Sequence, residues 1–342
     1  MNAALHRFIV TLLLLLGAAA QASVGVTELP GLQGDGPVTV FYPSSSEAKP
    51  IQRGPYAFTL AAKGEPVAGN RHLVVLSHGS GGSPWVYADL AQRLVEAGFV
   101  VAIPEHAGDN WHDMSKVGPE SWKRRPAEVS RAIDAVTQDA RFAPLLAADR
   151  VGMFGMSAGG HTALTLAGGR WSPSALLKHC EAHLVEDFPT CAGPTTRLNG
   201  DWLDGFKKLV TGIIIRQRLD DPNWYSFDEP RIKAVVAEVP FAVDFDPQSL
   251  AAPRVPLGLV QAGKDIWLLP RFHIGAVRNA CTSCTVVADV PNAGHGSFLS
   301  PQPVNLSGRA AELLNDPPGF DRAEVPRVHR AIVDFFRQHL PQ

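Results

Sequence analysis

The chain has 342 residues, 45% of them hydrophobic and 19% charged, with a formal net charge of −2. Those proportions suit a globular protein with a large core and exclude a disordered or fibrous one. The near-neutral balance excludes the broad positive field that nucleic acid or anionic lipid would need.

The amino terminus reads as an export signal. Arg7 supplies the positive start, residues 8–17 (FIVTLLLLLG) the apolar stretch, and Ala20-Gln21-Ala22 the small-x-small pattern before a cleavage expected ahead of Ser23. The apolar run is too short to cross a bilayer. No twin arginine precedes it and no cysteine follows, so neither a twin-arginine route nor a lipid anchor is expected. Residues 23–342 then form the mature domain, periplasmic or secreted, with no stable membrane anchor. Losing residues 1–22 removes one Arg and no acid, which leaves a charge of −3.

Residues 38–42 read as a first strand, ended by Pro43-Ser44-Ser45-Ser46. From Leu73 onward short, Val-rich apolar runs recur at 73–76, 99–103, 151–154, 234–239, 257–261 and 285–290. They are too short for helices and suit strands buried on both faces. Helical patterns separate them at 87–97, 126–138, 158–167, 269–279 and 324–338, with Pro126 read as a first-turn proline. Strand alternating with helix implies a mostly parallel sheet covered on both sides, an α/β fold. Residues 169–230 break the rhythm, and Trp171, Phe188, Trp202, Phe206, Trp224 and Tyr225 lie within them. A segment this long is expected to be a mainly helical, cap-like insertion rather than a bare loop.

The four cysteines, Cys180, Cys191, Cys281 and Cys284, allow three pairings. An oxidising destination and closeness in sequence favour Cys180–Cys191 and Cys281–Cys284. A zinc site would find one C-x-x-C but no second knuckle. A redox motif would sit at a helix start, whereas Cys281–Cys284 precedes an apolar run.

The strongest chemical signal is Gly155-Met156-Ser157-Ala158-Gly159, directly after one apolar run and directly before a helical pattern. A serine on a tight strand-to-helix turn needs small neighbours, because the backbone bends sharply there. A second signal is Ser77-His78-Gly79-Ser80-Gly81-Gly82, a glycine-rich loop after the 73–76 run. Such a loop can aim backbone N–H groups at a developing oxyanion, and the candidate donors are Ser80 and Ala158. A phosphate loop would need a G-K-[ST] ending, which is missing.

A serine hydroxyl needs a base. His295 in Asn292-Ala293-Gly294-His295-Gly296 follows the last run and is the candidate. His78 is explained by its loop, His161 by packing on the helix after Ser157, while His106 and His112 are candidates to line a pocket. Asp265, after the 257–261 run, is the candidate acid that orients the imidazole, with Asp244 and Asp246 as runners-up. Arg124 and Arg125 read as a solvated helix approach, or as partners for a substrate carboxylate.

The stretches LSHGSGGS (76–83), VVAIPEHAGD (100–109), RRPAEVSRAIDAV (124–136), VGMFGMSAGGHTALTLAGG (151–169), QAGKD (261–265) and NAGHGSFL (292–299) resemble the α/β-hydrolase superfamily. More narrowly they are similar to the bacterial predicted dienelactone hydrolases and the platelet-activating-factor acetylhydrolase-like esterases. The resemblance implies a mostly parallel central sheet with helices on both faces and a helical cap insertion. It also implies a Ser157, Asp265 and His295 triad, oxyanion donors at Ser80 and Ala158, and no cofactor or metal. Dienelactone hydrolases use a cysteine nucleophile where this chain has Ser157, so that activity is not inherited. The acetylhydrolases take their acid from the earlier strand, which keeps Asp244 and Asp246 in view.

The expected function is serine-dependent hydrolysis of a small or lipid-like carboxylic ester through an acyl-enzyme. The alternatives are an amidase or peptidase of the same fold, a lactone hydrolase, and a non-catalytic binding protein on this scaffold. The aromatic residues of the insertion are a candidate lining for an apolar acyl group.

Overall fold

The computed structural model describes residues 22–340, so the expected signal segment lies outside the described residues apart from Ala22. Among the described residues ten strands and ten α-helices follow in chain order. The strands are β1 (Ser23–Leu29), β2 (Val38–Ser44), β3 (Lys49–Arg53), β4 (Tyr56–Ala62), β5 (Leu73–Ser77), β6 (Val100–Pro104), β7 (Val151–Met156), β8 (Ile232–Glu238), β9 (Leu257–Ala262) and β10 (Thr285–Val290). The helices are α1 (Ala88–Glu96), α2 (Pro119–Gln138), α3 (Ala158–Leu166), α4 (Pro173–His183), α5 (Phe188–Ala192), α6 (Asp204–Arg218), α7 (Pro247–Ala251), α8 (Ile274–Ala280), α9 (Gly308–Leu314) and α10 (Glu324–His339).

The strands join one sheet in the order β10-β9-β8-β7-β5-β6-β2-β1-β4-β3. From β10 through β6 every neighbouring pair is parallel, and β2 pairs antiparallel with β6 and β1. Strands β5, β6 and β7 are buried along their whole length, as continuous apolar runs flanked by helices on both faces must be. One apolar layer holds α1 and α10, with Leu90, Leu94, Ile332 and Phe336. The other holds α2 and α3, with Val129, Ile133, Ala163 and Leu164.

After β5 the chain moves to β6 on one side, then crosses to β7 on the other. This reversal opens a crevice at the carboxyl ends of β5 and β7, where open parallel sheets bind ligands. The loops there carry Ser80 and Ser157.

Three expectations shift. Helix α2 begins at Pro119, and Pro126 lies inside it, buried. The first-turn proline is Pro119, seven residues upstream, and Trp122, Val129, Ile133 and Val136 extend one inward stripe from there. Strand β10 forms where expected but is half exposed, because it closes the edge of the sheet. The helix expected over 269–279 contracts to α8, since Pro270 and its neighbours form turns instead. Strands β1, β3 and β4 carry no long apolar run, and the sequence reading passed over them.

The 169–230 segment holds α4, α5 and α6. Disulfides join Cys180 to Cys191 and Cys281 to Cys284.

Candidate active site

Ser157 sits between β7 and α3 with φ 58° and ψ −116°, a backbone region that L-residues other than glycine avoid. A non-glycine residue held there costs about 1–3 kcal/mol and needs surrounding constraint. Its N–H donates to the Glu238 carbonyl at 3.0 Å, and its carbonyl accepts from the Phe241 N–H at 3.2 Å. The flanking glycines are a steric requirement. A Cβ on Gly155 would lie 1.9 Å from the Gly159 carbonyl oxygen, and one on Gly159 would lie 1.9 Å from the Ser77 carbonyl oxygen.

His295 Nε2 is 3.0 Å from the Ser157 hydroxyl, and His295 Nδ1 is 2.7 Å from Asp265 Oδ2. With Nδ1–H donating to the carboxylate, Nε2 is left to accept the serine proton. The other Asp265 oxygen accepts the N–H groups of Trp267 and Leu268 at 2.8 and 2.9 Å. The loops carrying the acid and the base are stitched together: Gly263 N–H donates to the Val290 carbonyl and Lys264 N–H to the Ala293 carbonyl. Asp265 and His295 are 3% and 5% exposed, so the chain of hydrogen bonds is largely dry.

Ser80 opens onto the same space as Ser157 and His295. Its neighbours have their N–H groups engaged within the loop: Gly79 donates to Tyr87 Oη at 3.1 Å, and Gly81 to Asp109 Oδ1 at 3.1 Å. Ala158 is the first residue of α3, where backbone N–H groups point away from the helix.

The remaining candidates go elsewhere. Asp244 binds His161 Nε2 at 3.1 Å, and Asp246 pairs with Arg170 and caps α7. His78 is buried, with Nδ1 on the Gly79 carbonyl and Nε2 accepting the His106 N–H. His106 and His112 do not line the cavity. His106 is buried between Ser77 Oγ at 2.7 Å and Glu128 at 2.6 Å, and His112 faces Glu105 at the surface. Burial pushes His78 and His106 well below the ordinary histidine value, so both are neutral. Arg125 is fully buried and pairs with Asp109, so neither sequence reading of it holds. Arg124 pairs with Glu128.

A cavity of about 1050 Å³ leads to Ser157 and His295. Trp85, Trp122, Phe241 and Trp267 are among its aromatic residues, and the insertion contributes Leu176, Thr190 and Ile215. Its cationic lining residues are Arg53 and Arg218, and no Asp or Glu lies among its described lining residues. The six insertion aromatics singled out from sequence do not line it. Trp171 and Phe188 are buried, Trp202, Phe206 and Trp224 face outward, and Tyr225 packs on Trp171.

A family model described as serine aminopeptidase, S33, matches residues 68–180, from just before β5 into α4. That segment holds both the glycine-rich loop and the Ser157 turn at the switch point of the parallel sheet. The chain is a serine hydrolase of the α/β fold. The match ends before Asp265 and His295 and says nothing of those two residues. No curated protein matches the chain.

The sequence reading of this hydrolase missed Tyr87, Asp109 and the non-insertion aromatics. A faint signal existed for Asp109, since a Gly-Asp-Asn turn after a buried strand is a place for a side chain to bind a neighbouring loop.

Proposed function

We propose that the protein is an exported carboxylic ester hydrolase that works through an acyl-enzyme on Ser157. The observation that carries this reading is the continuous Ser157–His295–Asp265 hydrogen-bond chain at the end of a deep, mainly apolar cavity whose described lining residues include no Asp or Glu. His295 takes the serine proton as Ser157 attacks the carbonyl carbon, and Asp265 holds the imidazole tautomer and stabilises its cationic form. Negative charge then builds on the carbonyl oxygen, which the N–H groups of Ser80 and Ala158 receive. His295 returns the proton to the leaving alkoxide. Water, activated by the same imidazole, then releases the acid.

Aminopeptidase activity is the second reading, favoured by the description of the matching family model. An aminopeptidase binds a protonated amine beside the scissile bond, and a buried ammonium needs a carboxylate partner. Arg53 and Arg218 line this cavity instead and would repel it. The departure from dienelactone chemistry also stands, since the nucleophile is Ser157. An acyl chain matches the large, apolar space better than a small anionic lactone does.

The test compares p-nitrophenyl esters of graded chain length with aminoacyl p-nitroanilides and one lactone. Esters are expected to be cleaved at least about tenfold faster than the anilides, and Ser157→Ala to lower ester turnover by roughly 10⁴-fold or more. Ester turnover unchanged in Ser157→Ala would overturn the reading, and preferred cleavage of the anilides would replace it with the second.

A further inference from the structure

Behind the oxyanion loop lies a charged pair that the chemistry above does not use. Asp109, in the loop after β6, and Arg125, on α2, are both fully buried, with Arg125 Nη2 2.8 Å from Asp109 Oδ2. Each then reaches the backbone of the 78–82 loop from a different side. Arg125 Nη1 donates to the His78 carbonyl. Asp109 Oδ1 accepts the Gly81 N–H at 3.1 Å, and Oδ2 accepts the Ser80 hydroxyl at 3.3 Å. Ser121 completes the cluster, donating to Asp109 at 2.7 Å and accepting from Arg125 Nε at 2.9 Å.

We infer that the Asp109–Arg125 pair is a positioning device that fixes the direction of the Ser80 N–H toward the carbonyl oxygen being attacked. The inference rests on the ester-hydrolase reading, in which that N–H is an oxyanion donor.

The His78 carbonyl, the Gly81 N–H and the Ser80 hydroxyl are all held by this one pair, so it grips the peptide planes 78–79 and 80–81 on either side of the one that carries the Ser80 N–H. The plane between residues 79 and 80 therefore lies between two held planes, with Tyr87 Oη on the Gly79 N–H as a further anchor and its own carbonyl, that of Gly79, accepting the Gly82 N–H at 3.0 Å. A glycine-rich loop has the conformational freedom to turn its N–H groups away, so without external anchors it would not be preorganised. Stability alone is a weak reason to keep such a pair, because buried ion pairs are often no more stabilising than apolar residues of the same size. Burial works to raise the Asp109 carboxyl, and Arg125, with the surrounding hydrogen bonds, outweighs it and holds the group below its ordinary value. The pair therefore stays ionised, and charge-assisted hydrogen bonds to the loop backbone are stronger and shorter than neutral ones.

The test separates positioning from simple support. The double variant Asp109→Leu/Arg125→Met removes both charges together and leaves no unpaired ion. It is expected to fold with an unchanged circular dichroism spectrum and a full count of fluorophosphonate-reactive Ser157, yet to lose about 100-fold in kcat with KM within threefold. Affinity for a trifluoromethyl ketone, whose adduct puts charge on the same oxygen, is expected to fall in parallel with kcat. A folded double variant with wild-type kcat overturns the inference.

Arg125→Lys serves if the double variant does not fold. One ammonium can neutralise Asp109 but cannot reproduce the guanidinium's simultaneous reach to the His78 carbonyl and Ser121. A kcat loss at unchanged KM is expected, and wild-type kcat in this variant overturns the inference as well. Failure of the wild-type protein to label at Ser157 would be a different outcome, removing the ester reading and this inference with it.

Discussion

Two regions share the cavity and are built in opposite ways. The platform at the ends of β5, β7 and β9 is over-determined: Ser157 is forced to φ 58°, Gly155 and Gly159 meet backbone at distances no Cβ could share, and Asp265 and His295 are almost wholly buried. The part of the 169–230 segment around α6 is under-determined. Helix α6 buries Thr211 and Ile215, while Trp202, Phe206 and Leu209 are 88%, 65% and 62% exposed on and beside it. The lesson is a division of labour. The serine turn is held where backbone constraint leaves no alternative, and α6 in the cavity wall is held by few buried side chains. Substitutions should therefore act steeply in the first region and gently in the second.

The sharpest way to break that contrast is Gly159→Ala. The added Cβ meets the Ser77 carbonyl oxygen at 1.9 Å, which the two strand ends cannot accommodate without moving. A loss of roughly 3 kcal/mol or more in unfolding free energy is expected, together with loss of activity. A melting temperature within two or so degrees of the parent would refute the close approach.

Next in size is Glu238→Gln. Glu238 lies at the end of β8 under the serine turn, and burial pushes its carboxyl up to about 8. The folded protein therefore keeps a proton that the unfolded chain releases above its ordinary value of 4.5. Native stability is fully present below that value and declines as pH rises toward 8, by on the order of 3 kcal/mol at pH 7. The Gln variant cannot ionise, so its melting temperature relative to the parent is expected to rise steadily between pH 5 and 8. A constant difference across that range would contradict the assignment.

In the insertion, Ile214→Trp adds bulk at a half-exposed position of the cavity wall. Long-chain ester kcat/KM is expected to drop roughly tenfold while acetate ester changes less than twofold. Equal effects on both would mean that the insertion does not shape the acyl site. The smallest effect is expected from Trp202→Ala, within about 0.5 kcal/mol of parent stability and with unchanged kcat, as for an exposed side chain. A large destabilisation there would show hidden anchoring in the insertion.

The same contrast explains what could be read from sequence. Ser157, Asp265 and His295 each follow an apolar run, so local pattern and chain order pointed to three side chains that lie within hydrogen-bonding distance of one another. The central strands were legible for the same reason, as short continuous apolar runs. Arg125 was not, because a charged helical residue is ordinarily solvated, and its burial is decided by Asp109 sixteen residues away in sequence. The cavity aromatics were misassigned because facing direction is a tertiary property: Trp122 on α2 and Trp267 after β9 turn inward, while Trp202 and Trp224 turn out. Pro126 misled because proline is a helix starter only at the first turn, and Pro119 already held that place.

The Cys180–Cys191 link has a practical consequence. Cys180 is buried in α4, whereas Cys191 belongs to the cavity wall on α5, so the bond ties a cavity-wall residue to the core. Thiol reductants would act on that wall and leave Ser157, Asp265 and His295 intact. On the ester-hydrolase reading, redox conditions during preparation become a variable of selectivity: two batches with the same number of reactive serines would rank a series of esters differently.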